Sequence, residues 1–264
     1  IIKKIKDGPV LIIRQVALAV GDIKAAEEFL VKCLGLKVCF RDPELRAFGL
    51  VNILFPIGSQ FLEVVSPIQT GTTAGRFLEK NGDGGYMVIV QCDDHASYKR
   101  RVEQLGIRIA HEFVLDNFLD MQLHPKDTGG SFLEIDQQLG SRGDQHDGPW
   151  APAGAKDVRG FAGIEQMAVS SVRMVSSNPA ISVKTWSDIF GRKCVDLGND
   201  FQLNLDNSSI IFSKKENVAY DRVVSVGLTV ENKEQVIARA DKLGARCSSK
   251  GFFALGIDWL LSGL

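Results

Sequence analysis

The chain is poor in the residues that build redox and metal centres. Five cysteines, Cys33, Cys39, Cys92, Cys194 and Cys247, occur in 264 residues, and none shares a paired or metal-ligand spacing with another. An odd, dispersed set excludes a disulfide framework and suits a reducing compartment, so a cytoplasmic location is expected. Cys92, at a strand end, reads as a small buried hydrophobe rather than a reactive thiol. The four histidines, His95, His111, His124 and His146, lack the i, i+4 or strand-alternate partner of a ligand cluster. They read as solvated or hydrogen-bonded surface groups. An excess of one charge is also missing: 31 basic residues face 32 acidic ones, for a net charge of −1. Without a basic face, nucleic acid is not an expected partner. No apolar run reaches the length of a membrane span, so no membrane partner is expected. The start, residues 1–10, carries Lys3, Lys4 and Lys6 without the apolar run or cleavage site of a signal peptide.

What is present is a unit that recurs four times in degraded form. Arg14-Gln15-Val16-Ala17-Leu18-Ala19-Val20 leads into a helical stretch, Ile23 to Leu34, and Gly35. Tyr86-Met87-Val88-Ile89-Val90-Gln91-Cys92 leads into His95 to Leu105 and Gly106. Glu165-Gln166-Met167-Ala168-Val169 precedes Val183 to Phe190 and Gly191, and Ser225 to Val230 precedes Lys233 to Leu243 and Gly244. Each pass reads strand, helix, glycine stop, new strand. Such units bury their apolar faces against copies of themselves, and pseudo-symmetry brings equivalent positions together.

Within the first copy, Val16, Leu18 and Val20 alternate with Gln15, Ala17 and Ala19, which assigns two faces to one strand. Asp22 is placed to cap the helix, which turns Ala26, Phe29 and Leu30 inward and stops at Gly35. Three strands should follow, around Leu36–Arg41, Ala47–Pro56 and Gln60–Ser66. The second copy repeats the order, with its helix at Tyr98–Leu105 and strands at Ile107–Phe113, Asn117–His124 and Ser131–Asp136. Between the copies, Ala74–Lys80 reads as a short helix. Residues 139–161 are rich in glycine and proline and read as a linker or a long exposed crossing. Beyond them the pattern erodes, and Met174–Pro179 reads as an insertion before the third helix. The expected organisation is a first paired domain at 1–138, the linker at 139–161, and a second, degenerate paired domain at 162–264.

The order of elements, with Gln15-Val16-Ala17-Leu18-Ala19-Val20, Phe61-Leu62-Glu63-Val64-Val65 and Ser131-Phe132-Leu133-Glu134-Ile135, resembles the vicinal oxygen chelate superfamily. That group includes glyoxalase I, methylmalonyl-CoA epimerase, extradiol dioxygenases and bleomycin-resistance proteins. Glu79-Lys80-Asn81-Gly82-Asp83-Gly84 and Leu123-His124-Pro125-Lys126-Asp127-Thr128-Gly129-Gly130 look most like the epimerase branch. The resemblance implies an α+β fold of four βαβββ modules forming two pairs of curved mixed sheets, each pair an eight-stranded cup. It also implies a divalent metal ion in the first cup, held at positions matching Gln15, Glu63, Met87 and Glu134. Met87 departs from the family's imidazole donors, since a thioether is a poor ligand for a hard ion, which leaves Gln15, Glu63 and Glu134 as the metal set. By alternation Tyr86 should point away from the cup. In the second half the matching positions are Gln166 and Ser225 on the first strands and Asp258, nearest to the last, so no metal is expected there.

Glu63 and Glu134 sit between apolar neighbours and should face the first cup. Partial desolvation raises a carboxylate's pKa and improves it as a base, and two carboxylates in one cavity favour one that holds a proton. The leading expectation is an isomerase- or lyase-type enzyme binding a small carbonyl or acyl-thioester compound. Glu63 and Glu134 would move its proton, with Gln15, Met87 and Lys126 contacting the substrate. The competing reading is a non-catalytic, ligand-sequestering protein of the bleomycin-resistance type. An extradiol dioxygenase would need two histidines and a carboxylate on iron, and no pair of histidines is in register for it. Four copies in one chain could close both cups internally, so a monomer or simple homodimer is expected.

Overall fold

A computed structural model describes residues 10–154 and 166–264. The lysine-bearing start up to residue 9 and the linker and strand positions from 155 to 165, Gly160 and Glu165 among them, lie outside the described residues.

The first half contains two modules. In the first, β1 (Leu11–Ala19) is followed by α1 (Ile23–Leu34), β2 (Leu50–Ile57) and β3 (Gln60–Pro67). The Asp22 carboxylate accepts from the backbone N–H of Lys24 and Ala25, and Gly35 ends the helix at φ 69°. The strand expected at Leu36–Arg41 shrinks to one bridge, Phe40 with Leu54. Beyond it the chain enters a 3₁₀ turn, Glu44–Phe48, at Pro43, which has no N–H to continue a ladder. A helix, α2 (Thr73–Asn81), leads to the second module: β4 (Gly84–Cys92), α3 (His95–Gln104), β5 (Ile109–Leu115), β6 (Phe118–Leu123) and β7 (Phe132–Gln138). β1 runs parallel to β3 and antiparallel to β4, and β4 runs parallel to β7. The first cup is therefore a seven-stranded sheet, ordered β2-β3-β1-β4-β7-β6-β5.

The second half repeats the plan. β8 (Met167–Ser176), α4 (Pro179–Phe190), β9 (Cys194–Asp196), β10 (Asp200–Asn204) and β11 (Ser209–Lys214) form the third module. β12 (Arg222–Val230), α5 (Lys233–Lys242), β13 (Arg246–Ser248), β14 (Gly251–Ala254) and β15 (Ile257–Gly263) form the fourth. Its order is β9-β10-β11-β8-β12-β15-β14-β13. Because β8 runs on through Ser176, residues 174–176 belong to the strand and are not an insertion. The fold is α+β, four modules in two curved mixed sheets.

The two sheets meet at one backbone pairing, Val223 with Gly85. A Cβ on Gly85 would stand 2.4 Å from the Val223 side chain, so only glycine lets the strands approach. One apolar core spans both halves, from Val16, Leu18 and Leu30 to Trp186 and Trp259. A smaller cluster lines the first cup: Ala17, Ala19, Phe61, Tyr86, Met87, Ile89, Phe118 and Trp150. The period-2 split of β1 into core and cup faces holds as the sequence predicts.

Candidate active site

β-Bulges decide what faces the first cup. Between the pairs Ile13–Val90 and Gln15–Ile89, Arg14 has no opposite residue; between Ala17–Met87 and Leu18–Gly85, Tyr86 has none. A bulged residue is re-aimed relative to the pleat. Tyr86 accordingly joins the cup lining with Met87, its neighbour, against the expectation from alternation. Its ring meets Phe77 and Phe132 at centroid distances of 5.3 and 5.1 Å. The Arg14 guanidinium lies 5.5 Å from the Phe61 ring centre and 5.4 Å from that of Trp150.

Gln15 and Glu63 are in direct contact. Gln15 Nε2 donates to Glu63 Oε2 over 2.9 Å, and Asn52 Nδ2 donates to Glu63 Oε1 over 2.7 Å. Burial pushes the Glu63 carboxyl up from its usual range, while these two amides hold it back. Gln15 Oε1 in turn accepts from Trp150 Nε1 at 2.9 Å. Trp150 belongs to the segment read as an exposed linker, yet it is fully buried, as is Ala153. Further bonds seat this segment: Arg14 donates to the carbonyls of His146 and Gly148, and Gln91 Nε2 donates to that of Gly143. Ala151 N–H donates to Gln138. Residues 143–153 are thus a wall of the cup, because Trp150 is apolar enough to bury and Gln15 supplies its N–H with an acceptor. Burial pulls the Arg14 guanidinium down to about 10, with Asp147 opposing.

Glu134 keeps different company. It comes together with Asp120 and Asp136, whose ligand-capable oxygens all lie within 4.8 Å of one another. Asp120 and Asp136 are buried, and both Asp136 oxygens lack a donor. Burial first, then Asp136 and Asp120, push the Glu134 carboxyl well above its usual range. Burial also raises Asp120, to about 6, and raises Asp136. Contacts between carboxyl groups hold only when a proton is shared, so this trio carries protons near neutrality. Gln122 Nε2 reaches Glu134 Oε2 at 3.5 Å and Met87 Sδ at 3.8 Å.

The four positions expected to hold a metal lie on one face of the sheet, but they do not act as one donor set. Glu134 joins Asp120 and Asp136, three oxygen donors of a kind that could hold a divalent ion, while the other three are otherwise engaged. The Gln15 oxygen and both Glu63 oxygens are engaged by N–H donors, and Met87 offers only sulfur. The second cup is a correction. Its bulges leave Val224 and Ser170 unopposed, so the equivalents of Gln15 and Met87 are Ser171 and Ser225, while Gln166 is exposed ahead of β8. Glu63 pairs with Ala17, two residues beyond Gln15; by the same count the strand-four positions are Ile211 and Leu260, not Asp258. Two serines and two apolar residues make no metal set there. Of the histidines, His95 is buried rather than at the surface, and none joins the carboxylate cluster.

A cleft of about 470 Å³ opens beside the first cup. Arg76, Lys80 and Lys126 make it basic, and Phe77, Phe132 and Tyr220 line it. Lys126 is therefore at the cleft, with Gln15 and Met87 inside the cup. Phe77 and Phe132 are the rings that touch Tyr86, so this phenol packs against the wall of the cleft from the cup side.

Residues 12–135 match the sequence model of the Glyoxalase/Bleomycin resistance protein/Dioxygenase superfamily. Over these residues the chain is similar to that superfamily. Human mitochondrial methylmalonyl-CoA epimerase is 28% identical over 129 residues, 47% of this chain and 73% of that protein. The ethylmalonyl-CoA/methylmalonyl-CoA epimerase of Cereibacter sphaeroides is 27% identical over 135 residues, 47% of this chain and 96% of that protein. Across both halves, a hypothetical protein from Staphylococcus aureus has the same fold, with a TM-score of 0.66 at 12% identity, covering 97% of this chain and 100% of that one. A variant of 4-hydroxymandelate synthase from Streptomyces coelicolor matches with a TM-score of 0.66 at 13% identity, covering 90% and 76%. Among the described residues, no helix is long and apolar enough to cross a membrane.

Sequence reasoning missed Asp120, Asp136, Asn52, Tyr86, Arg14 and Trp150. Asp136 had a signal: two residues beyond Glu134 in a strand, it must share that residue's face.

Proposed function

We propose that the first cup binds an acyl thioester or related small carbonyl compound and moves a proton at the carbon beside the carbonyl. The observation that carries this reading is the contrast between its two glutamates. Two amide donors engage the oxygens of Glu63 and favour its ionised form. Two buried carboxyl groups crowd Glu134 and favour its protonated form. A base and an acid on the same face of one curved sheet are the pair that epimerisation needs.

Glu63 takes the proton, the C–H electrons move into an enolate, and Glu134 returns a proton to the opposite face. The carbon is inverted, and solvent exchange resets the two carboxyl groups. Arg76, Lys80 and Lys126 give the cleft the positive charge that the phosphates of a coenzyme A tail require. The names of the epimerase relatives support the same substrate class.

Incubation with methylmalonyl-CoA in deuterated water tests the reading. Deuterium should enter beside the thioester carbonyl, and Glu63→Gln should slow its entry by about 10²–10⁴-fold. No exchange above background, with tight binding of the thioester, would instead identify a ligand-sequestering protein, the second reading. Trp150 favours that one, since it closes over Gln15 the side of the cup where chemistry is expected.

A further inference from the structure

We infer that the Tyr86 hydroxyl donates the hydrogen bond that stabilises the enolate oxygen formed in the first cup. This inference rests on the proton transfer proposed above and names the group that reading leaves open. An enolate carries a full negative charge on oxygen, and without a donor aimed at it the proton abstraction would stall. Beside Glu63 the chain offers no set of open oxygen donors for a metal, since the Gln15 oxygen and both Glu63 oxygens are engaged and Met87 brings only sulfur. The donor there is therefore sought among the chain's own N–H and O–H groups.

The polar groups of the cup are largely committed. Gln15 and Asn52 give N–H bonds to Glu63, and Trp150 gives its N–H to Gln15. Gln122 turns to Met87 and Glu134. Arg14 is fully enclosed: its two terminal nitrogens hold the carbonyls of His146 and Gly148, and its Nε, though without a hydrogen-bond partner among the described residues, is sealed from solvent. The Tyr86 hydroxyl makes no hydrogen bond to the described residues, and the bulge in β4 aims its ring into the cup. Its contacts with Phe77 and Phe132 fix the ring where the basic cleft meets the cup.

The phenol also keeps its proton. Burial pushes it up, the Glu63 charge pushes the same way, and Arg76 opposes them. The hydroxyl thus feels the charge of the proposed base and that of the cleft's arginine. A thioester entering past Arg76 would bring its carbonyl oxygen to Tyr86 as its neighbouring carbon approaches Glu63. The step is a hydrogen bond only: the proton stays on the phenol and no bond is exchanged.

Tyr86→Phe tests this, since it keeps the ring contacts and removes only the hydroxyl. Two probes are compared by calorimetry: propionyl-CoA, which carries no charge beside its carbonyl, and its 2-nitronate derivative, which mimics the enolate. The variant should bind propionyl-CoA as the unaltered protein does and lose about ten- to a hundredfold of its affinity for the nitronate. Deuterium exchange into methylmalonyl-CoA should fall by about 10²–10³-fold. Equal nitronate affinity in the two proteins overturns the inference while leaving the proton-transfer reading standing if exchange persists. Nitronate affinity that depends on Tyr86 without exchange in either protein supports the donor and sinks proton transfer. An unaltered protein that binds the nitronate no more tightly than propionyl-CoA overturns both.

Discussion

Trp150 and Gln15 are 135 positions apart in the chain and share a buried hydrogen bond of 2.9 Å, indole N–H to amide oxygen. Through it a residue outside the repeated units sets the orientation of a side chain on the first strand. The amide so fixed can only turn its nitrogen outward, and that nitrogen meets Glu63.

Gln15→Ala should therefore disturb both fold and site. It leaves the buried Trp150 N–H without an acceptor, which costs about 1–3 kcal/mol. It also removes one of the two donors that oppose the upward push of burial on Glu63, so the pH at which exchange becomes half-maximal should rise. Urea unfolding and a pH–rate profile check the two effects separately. Unchanged stability would show that the indole N–H finds another partner.

Trp150→Ala should be the more damaging change, because it opens a cavity between Arg14, Phe118 and Gln15. Truncating a buried tryptophan costs about 3–5 kcal/mol. Trp150→Phe keeps most of the packing and should cost about 1–3 kcal/mol, the penalty of the unpaired Gln15 oxygen. Similar losses for both variants would mean that the hydrogen bond, not the packing, dominates.

The acidic trio predicts a pH dependence of stability. Asp120, raised to about 6, and Glu134 and Asp136, also raised, bind protons more tightly folded than unfolded. Their favourable contribution is complete below the unfolded carboxylate range and is lost as pH rises through the folded values. Stability should fall by roughly 1–3 kcal/mol between pH 4 and 8 from this source. Asp136→Asn should flatten that fall and stabilise the protein at pH 8, as read by urea midpoints. It should also let Glu134 ionise earlier, so inversion is lost before exchange. A slope as steep in the variant as in the native protein would refute the assignment.

Lys126→Ala and Arg76→Ala, alone and together, should weaken binding of coenzyme A esters without changing the melting temperature, since both side chains line an open cleft. Because the attraction is between exposed charges, it should shrink as salt is raised from 0.05 to 0.5 M, a range over which screening lengths shorten severalfold. Binding that ignores both substitutions and salt would move the ligand's entry elsewhere.

The repeat itself was legible because helices and strands carry their periods locally. The two faces of β1, the Asp22 cap, the Gly35 stop and the orientation of Glu63 and Glu134 all follow from alternation and end chemistry. Asp136 was equally available by the same count. Tyr86 was misread because a bulge shifts the pleat by one residue; the glycine pair Gly84-Gly85 beside it is the one local sign, and it does not say which residue is re-aimed. In the second half, Gln166 lies ahead of β8 and strand register, not local pattern, puts Ser171 and Leu260 where Gln166 and Asp258 were expected. The strand expected at Leu36–Arg41 was lost beside Pro43, a boundary that β propensity alone does not reveal.

By itself, then, the order of residues determined the four modules and which face of its strand each glutamate takes, because side-chain periodicity is a property of neighbours in the chain; the curved mixed sheets were implied by the family resemblance. The tertiary structure decided what each glutamate meets: amides from Gln15 and Asn52 for one, Asp120 and Asp136 for the other, and Trp150 closing the wall. Those contacts depend on strand register, bulges and the return of a distant segment, and it is they that set which carboxyl group holds a proton. Local pattern fixes where a side chain points; only packing fixes the charges and donors it finds there.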